Sequence, residues 1–492
     1  MKSSYFILVI LTTFFLNLKT VSAEVGETNR PNVLFLFTDD QCYDTVHAHG
    51  NKIIKTPHID TLAENGTSFM NTYIMGGSCP AVCSPSRAAL FSGLTLWNLE
   101  NQGRFGYEIS PKYKTLPQVF RESGYTTFAT GKNEPGKHGH FARSFSAGDK
   151  IFFKGMSSHY NLRLHPYCPD GQYTNDKAYT LKNQHSAEVY ADACIKFLEE
   201  QKDSSKPFFA YVAFQTPHDP KQAPEKFRKM YTGNEIPLPK SFVPEHPFDN
   251  GMLRIRDEKL EKFPREPQKI KDHIAAYYAM VTHTDAQIGK ILKALEESGK
   301  KDNTIIIFTS DNGLAIGKHG LMGKQNVYEH SVRVPMIISG PGITKNNKHQ
   351  QLCYLYDIYP TLCDLAGLKT PNTVEYKSLM PIIKNKTATH RQHLYFAFMS
   401  WQRSVRDQNH KLIEYCVEGK RYTQLFDLSK DPHETKNLAG ASEYSGKLET
   451  LRKILISERL RLNDGNTPYQ LTNQQGKDFW ETYESVKETT IP

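Results

Sequence analysis

Five short apolar runs set the frame of this chain, and segments with helical spacing separate most of them. The runs are NVLFLF from Asn32, TTFAT from Thr126, PFFAYVAF from Pro207, TIIIFTS from Thr304 and VPMIISGPG from Val334. Continuous apolar runs of this length read as strands buried on both faces. Between them, TPHIDTLAENG predicts a helix with Thr56 as N-cap, Pro57 at the first position and Gly66 at the stop. TLPQVFRESGY repeats that pattern, SAEVYADACIKFLEEQ is helical, and apolar spacing predicts a long amphipathic helix from about Asp272 to Ser298. Strands joined by helical crossovers make a parallel sheet covered on both faces. The fold class is therefore α/β, with a large, mostly parallel central sheet flanked by helices.

After about Met380 the pattern changes. HLYFAFM, RSVRDQ and HKLIEY are short, closely spaced and alternating, which suits an antiparallel sheet, and GKLETLRKILISERLRL is a final helix. The reading is a leader at 1–23, an α/β domain at 24–380, and a smaller C-terminal α+β subdomain with tail at 381–492. Lys221 to Lys271 is rich in proline, lysine and glutamate and reads as a long surface insertion; the tail after Asp464 is polar and expected to wrap or fray.

The first residues, MKSSYFILVILTTFFLNLKTVSA, combine a basic start, an apolar run and a small-residue cleavage site, the pattern of a secretory signal peptide. The run is shorter than a membrane span needs, and no later segment is long and apolar enough. The expected location is outside the cytoplasm, periplasmic or secreted, with no membrane span. Removing Lys2 and Lys19 takes the formal charge from +9 to +7. That mild excess suits an anionic substrate and gives no reason to invoke nucleic acid. Eight cysteines scattered over 492 residues exclude a small disulfide scaffold.

Ligands of parallel sheets bind beyond the carboxyl ends of the strands. There the first run is followed by Asp39 and Asp40, the second by Gly131 and Lys132, the third by Gln215-Thr216-Pro217-His218, and the fourth by Asp311, Asn312 and Gly313. Each alone is common turn chemistry; four at one end of one sheet indicate a shared site. Asp39, Asp40, Asp311 and Asn312 are hard oxygen donors that suit Ca²⁺ or Mg²⁺. Lys132, Arg87, His218 and Lys324 are donors for a tetrahedral oxyanion. A metal with an anion clamp is equipment for phosphoryl or sulfuryl transfer.

Cys83 stands just before a predicted helix start, where a thiol is acidified and an anion is favoured. Cys79 and Cys83 have no second Cys/His pair at zinc spacing. The pattern Cys-x-Pro-x-Arg at Cys83, Pro85 and Arg87 resembles the signature of the type I sulfatases of the alkaline-phosphatase-like superfamily. PNVLFLFTDDQ resembles that family's opening strand, TSDNG its second metal pair, MGKQNVYEHSVRVPMIISGPG its substrate-lysine segment and LFDLSKDPHETKNLA the end of its C-terminal subdomain. The resemblance implies an alkaline-phosphatase-like fold and a Cys83 converted to Cα-formylglycine by a formylglycine-generating maturation enzyme. It also implies Asp39, Asp40, residue 83, Asp311 and Asn312 around the metal, Arg87 steadying the hydrated aldehyde, and Lys132, His218 and Lys324 on sulfate. His218 would be the proton donor to the leaving alcohol. Attack by one gem-diol oxygen gives a covalent sulfo-enzyme, from which loss of a proton expels sulfate.

One departure stands out. The family reads Gly-Lys-Trp-His after the third strand, whereas this chain reads GKNEPGKHGH, with Asn133 and Glu134 in the last two places. Glu134, His138 or His140 are the candidates to replace that histidine. Ser157, Ser158 and His159 in GMSSHY are further candidates for the substrate pocket. The expected activity is hydrolysis of a sulfated carbohydrate, with ulvan or carrageenan oligosaccharides first and glycosaminoglycans next. The alternatives are a phosphomonoester or phosphonate hydrolase of the same superfamily and a sulfoglycan-binding protein that has lost turnover.

Overall fold

The strand periodicity is realised with both faces covered. A computed structural model describes residues 30–99, 109–133, 139–254, 256–385, 388–465 and 479–491. The leader at 1–23, Glu134 and His138 lie outside these residues.

In chain order the strands are β1 (Asn32–Thr38), β2 (Gly66–Tyr73), β3 (Gly76–Gly77), β4 (Thr126–Lys132), β5 (Ala147–Phe152), β6 (Asn161–Leu164), β7 (Tyr179–Lys182) and β8 (Phe208–Ala213). Then come β9 (Thr304–Ser310), β10 (Arg333–Val334), β11 (Met336–Ser339), β12 (Asn347–Tyr354), β13 (Leu394–Phe398), β14 (Gln402–Arg406), β15 (His410–Val417) and β16 (Lys420–Asp427). Among the described residues, nine strands form one sheet in the order β10-β2-β11-β9-β1-β8-β4-β5, with β12 also on β2. Its centre, β9-β1-β8-β4-β5, is parallel throughout. Val33, Phe35 and Phe37 of β1 enter the core on one face and Leu34 and Leu36 the core on the other, as two-residue periodicity requires.

β11 runs antiparallel to β9, against the expectation that VPMIISGPG extends the parallel set. No helical crossover lies between the two strands: the chain from Asp311 to Arg333 stays at the carboxyl end and returns from there. That return keeps Lys324 near the strand ends. Two helix ends also differ from the sequence reading. The first helix is Pro57–Glu64, and Gly66 opens β2 instead of stopping the helix. Thr56 makes no side-chain cap; its hydroxyl accepts from the His47 amide and donates to Asp60. The long helix begins earlier than expected, at Pro267, and runs to Glu297.

The second sheet is antiparallel across β16-β15-β14-β13, as the alternation indicated, and is joined on its far edge by β3. β3 comes from the segment that leads to Cys83. At Gly76 a Cβ would run into the Ala397 carbonyl and φ is +110°, so this junction needs glycine. The end of the chain does not simply fray: Phe479–Ser485 is helical, with Phe479 and Trp480 buried.

Candidate active site

The parallel register brings the strand ends level. Thr38 lies opposite Ser310, and Ala213 is opposite both Phe37 and Gly131. The residues just past these ends therefore meet at one place. Asp39, Asp40, Asp311 and Asn312 are all fully or almost fully buried. Asp40 adopts a left-handed φ of +65°, which aspartate tolerates better than most residues. Four contacts hold it: its amide donates to Asp311 Oδ1 (3.1 Å), its carbonyl accepts from Tyr277 (2.6 Å), and its carboxylate accepts from Asn312 (2.7 Å) and Lys324 (2.6 and 2.7 Å).

This cluster suits a divalent cation. Asn312 gives its amide hydrogens to Asp40 and Gly313, and its Oδ1 is buried with no hydrogen-bond partner. Burial pushes the Asp40 and Asp311 carboxyls up to about 6; Asp39 adds to the rise in both cases, while Lys324 opposes it at Asp40 and Arg87 at Asp311. Burial also acts upward on Asp39, but Lys132, His218, Arg87 and Lys324 outweigh it and keep that carboxyl well below its usual range. Carboxylates crowded this closely repel one another unless a cation sits among them. One ligand atom each from Asp39, Cys83 and Asp311 lies within 4.8 Å of the others, and the same holds for Asp39, Asp40 and His218.

Cys83 is the first residue of the helix Cys83–Ser92, which is buried on every side and closed by Gly93 in the left-handed region. One turn on, Arg87 projects back to the strand ends. Its Nε and Nη2 reach Asp311 Oδ2 at 2.9 and 2.8 Å, Nη2 lies 3.5 Å from Asp39, and Nη1 donates to the Lys132 carbonyl at 2.8 Å. Phe37 packs its ring against the guanidinium, 4.8 Å from the centroid.

Lys132 ends β4 beside a bulge in β5, where Ala129 lies opposite Gly148 but Gly131 lies opposite Ile151, one residue further along. Gly131 has φ +85°, and a Cβ there would strike the Ala213 carbonyl. Lys132 Nζ pairs with Asp39 and lies 3.7 Å from Cys83 Sγ. Burial works against its ammonium, but Asp39 and Cys83 prevail and hold it above the usual lysine range. His218, between two proline peptides, sets Nδ1 against the Asp219 carbonyl (2.9 Å) and Nε2 3.6 Å from Asp40. Burial and Lys324 lower its imidazole to about 4.

Some sequence candidates sit elsewhere. His159 is buried behind the His218 loop: its Nε2 meets the His218 carbonyl (2.9 Å) and its Nδ1 the Ser186 hydroxyl (2.7 Å). Ser158 donates to Gln222 (3.0 Å), and the Ser157 hydroxyl donates to the Ser158 carbonyl (3.2 Å). These contacts tie Ser158 and His159 to Gln222 and to the His218 loop. His140 is buried in the short helix Gly139–Ser144. The sequence reading missed the part played by the segment 221–271. Ile236, Phe248, Met252, Glu258 and Arg265 are buried, and Glu258 accepts the backbone amides of Met322 and Gly323 beside Lys324. Its charged, proline-rich composition resembles a solvated loop, and only its scattered apolar residues hint at packing.

The sulfatase family model matches residues 31–368, and a model described as N-sulphoglucosamine sulphohydrolase, C-terminal, matches 317–461. The chain belongs to the sulfatase family. An arylsulfatase of Clostridium perfringens is 32% identical over 89% of this chain and 96% of its own. An N-acetylglucosamine-6-O-sulfatase of Bacteroides thetaiotaomicron is 25% identical over 89% of this chain and 88% of its own. A Bacteroides fragilis crystal structure described as a sulfatase superposes with a TM-score of 0.73 at 25% identity, over 90% of this chain and 98% of that one. The fold is thus that of the alkaline-phosphatase-like superfamily, and this sulfatase is an enzyme.

Proposed function

We propose that this sulfatase hydrolyses a sulfate ester of a carbohydrate outside the cytoplasm, using an oxidised Cys83. The observation that carries the reading is the convergence of Cys83 Sγ, Lys132 Nζ at 3.7 Å, and the Asp39 and Asp311 carboxylates in one buried cluster. The N-acetylglucosamine-6-O-sulfatase relative supports a sugar as the leaving group.

Asp39, Asp40, Asp311, Asn312 and the side chain of residue 83 would hold Ca²⁺ or Mg²⁺, which when bound polarises a sulfate oxygen. Cys83 matured to formylglycine supplies the nucleophilic hydroxyl. The other side chains act on charge and protons. Arg87 locks Asp311 and Asp39 in place and fixes the Lys132 backbone. Lys132 and Lys324 present ammonium groups to the anionic oxygens, where burial strengthens each contact. The Asp219 carbonyl fixes a proton on His218 Nδ1 and leaves Nε2 toward the site; a bound sulfate, by offsetting Lys324, would favour uptake of a second proton on Nε2, the one passed to the leaving sugar oxygen. The residue that replaces the missing family histidine is Glu134 in this reading.

The test is sulfate release by enzyme co-expressed with a formylglycine-generating enzyme. The substrates are N-acetylglucosamine 6-sulfate and oligosaccharides of ulvan, carrageenan and glycosaminoglycans, with aryl sulfate and aryl phosphate compared side by side. Aldehyde mass at position 83 with sulfate release from a sugar is expected. An unmodified thiol without release, or faster phosphate than sulfate hydrolysis, would overturn the reading.

A further inference from the structure

The loop that carries Lys324 closes on itself through backbone hydrogen bonds, with the Ala315 amide on the Gly323 carbonyl (3.1 Å) and the Gly317 amide on the Leu321 carbonyl (2.7 Å). Side chains from the segment 221–271 pack across it and take up the amides that this turn leaves over. Glu258 accepts the Met322 amide on Oε2 (2.9 Å) and the Gly323 amide on Oε1 (2.8 Å). Arg265, almost fully buried, pairs with the same carboxylate through Nη2 (2.6 Å) and gives Nε to the Gly320 carbonyl (3.2 Å). Phe263 lies against the guanidinium, its ring centroid 3.7 Å away.

The next residue extends the hold. Asp257 Oδ2 accepts Gln325 Nε2 (2.8 Å), and the same nitrogen reaches the Pro80 carbonyl (2.9 Å), three residues before Cys83. Gln325 Oε1 in turn accepts the Lys324 amide (3.1 Å). The backbone amides of Met322, Gly323 and Lys324 therefore all end on buried, fixed acceptors. One side chain, Gln325, joins the lysine loop, the nucleophile loop and the inserted segment.

We infer that Asp257, Glu258 and Arg265 form a positioning unit that sets Lys324 against the Cys83 loop. The inference rests on the sulfate-ester reading, since it assigns Lys324 to the anion. A buried ion pair contributes little net stability, because desolvation offsets its attraction. Here it orients a loop at the site, where an error near 1 Å costs on the order of 100-fold in rate. Asp257 and Glu258 reach Gln325 and the Lys324 loop directly, and Arg265, which also donates to the Glu258 and Glu261 carbonyls, braces them, so the unit acts on the chemistry through Lys324 and Pro80.

The experiment uses the matured full chain and the variants Glu258→Ala, Asp257→Ala and Asp257→Asn. Two readings are taken: steady-state kinetics on 4-nitrophenyl sulfate, and calorimetric affinity for inorganic sulfate. The alanine variants should raise KM and weaken sulfate binding by roughly 10- to 100-fold, with a smaller change in kcat. Asp257→Asn keeps an acceptor for Gln325 while removing a charge that acts on Lys324, so it should lie closer to the wild type than Asp257→Ala. If Glu258→Ala fails to fold, the two Asp257 variants decide alone. Unchanged KM and sulfate affinity in Asp257→Ala, with only a lower melting temperature, overturns the inference. Wild type that binds sulfate but hydrolyses no ester ends the sulfate-ester reading, while the affinities still test the positioning. Wild type that neither binds nor hydrolyses overturns both.

Discussion

Lys132 Nζ stands 3.7 Å from Cys83 Sγ and pairs on its other side with Asp39. One cation thus bridges the nucleophile position and the acidic cluster, at the end of β4 beside the bulge in β5. Lys132→Ala should lower kcat by about 100- to 1,000-fold, the usual cost of removing one preorganised donor to a developing anion. Lys132→Arg should not restore it, because a planar fork needs a different space and a different set of acceptors. Turnover of Lys132→Ala within tenfold of wild type would remove this lysine from the anion clamp.

The strand-end residues are legible because two rules suffice for them: apolar runs mark strands, and a parallel sheet gathers the residues just past the carboxyl end of each strand. Asp39, Lys132, His218 and Asp311 come together on that basis alone. The rules give no access to contacts between segments that carry no periodicity. Glu258 reaches Gly323 across 65 residues, and neither end has a local pattern that announces the other. The direction of β11 escapes for a related reason: the apolar run is the same in either orientation, and only the path of the preceding loop decides. Both ring nitrogens of His159 are taken up by the His218 carbonyl and the Ser186 hydroxyl, contacts that its sequence does not announce. A histidine in a glycine-containing loop reads alike whether it faces a ligand or a carbonyl. The oxidation of Cys83 obeys no spacing rule and enters through resemblance alone.

Metal removal gives the second prediction. Asn312 Oδ1 is a buried acceptor without a hydrogen-bond partner, and burial pushes Asp40 and Asp311 upward. Chelation should abolish sulfate release and lower the melting temperature; Ca²⁺ or Mg²⁺ should restore both. A ligand present at a hundredfold excess over its Kd stabilises the folded state by about 2.7 kcal/mol. Asn312→Ala should keep the fold and weaken the response to added cation in the same melting assay. A melting temperature indifferent to chelator and to both cations would show that the cluster holds no metal.

The third prediction concerns the wall behind His218. His159 fixes the His218 carbonyl (2.9 Å) and is itself fixed by Ser186 (2.7 Å) and, through its backbone amide, by Gln222 (2.9 Å). His159→Leu should lower kcat by about tenfold by loosening the imidazole, with little change in KM because the lysines on the anion are untouched. His159→Gln, which can still donate to the carbonyl, should recover part of the loss. A rise in KM with kcat preserved would instead put His159 in contact with substrate.

Asp357 supplies a stability prediction away from the chemistry. It is fully buried where β12 ends, and Arg391 grips both of its oxygens, with Nη2 at 2.7 Å from Oδ1. His390 (3.0 Å) and the amides of Tyr354 (2.9 Å) and Lys377 (3.1 Å) complete the set. Burial acts to raise this carboxyl, but Arg391 and His390 overcome it and hold the group below its ordinary value of 3.8. The unfolded chain then binds a proton that the native protein resists, so stability rises with pH across that window. The contribution is complete above the ordinary value and is lost as the pH falls below it. Arg391→Met should cost about 3–5 kcal/mol at neutral pH, because it leaves a buried charge short of its partner. Asp357→Asn should be less stable than wild type at pH 7, and the gap in urea midpoints should narrow as the pH is taken down through 3.8. A gap that stays constant over that range would mean that the carboxylate is not held in its charged form by Arg391.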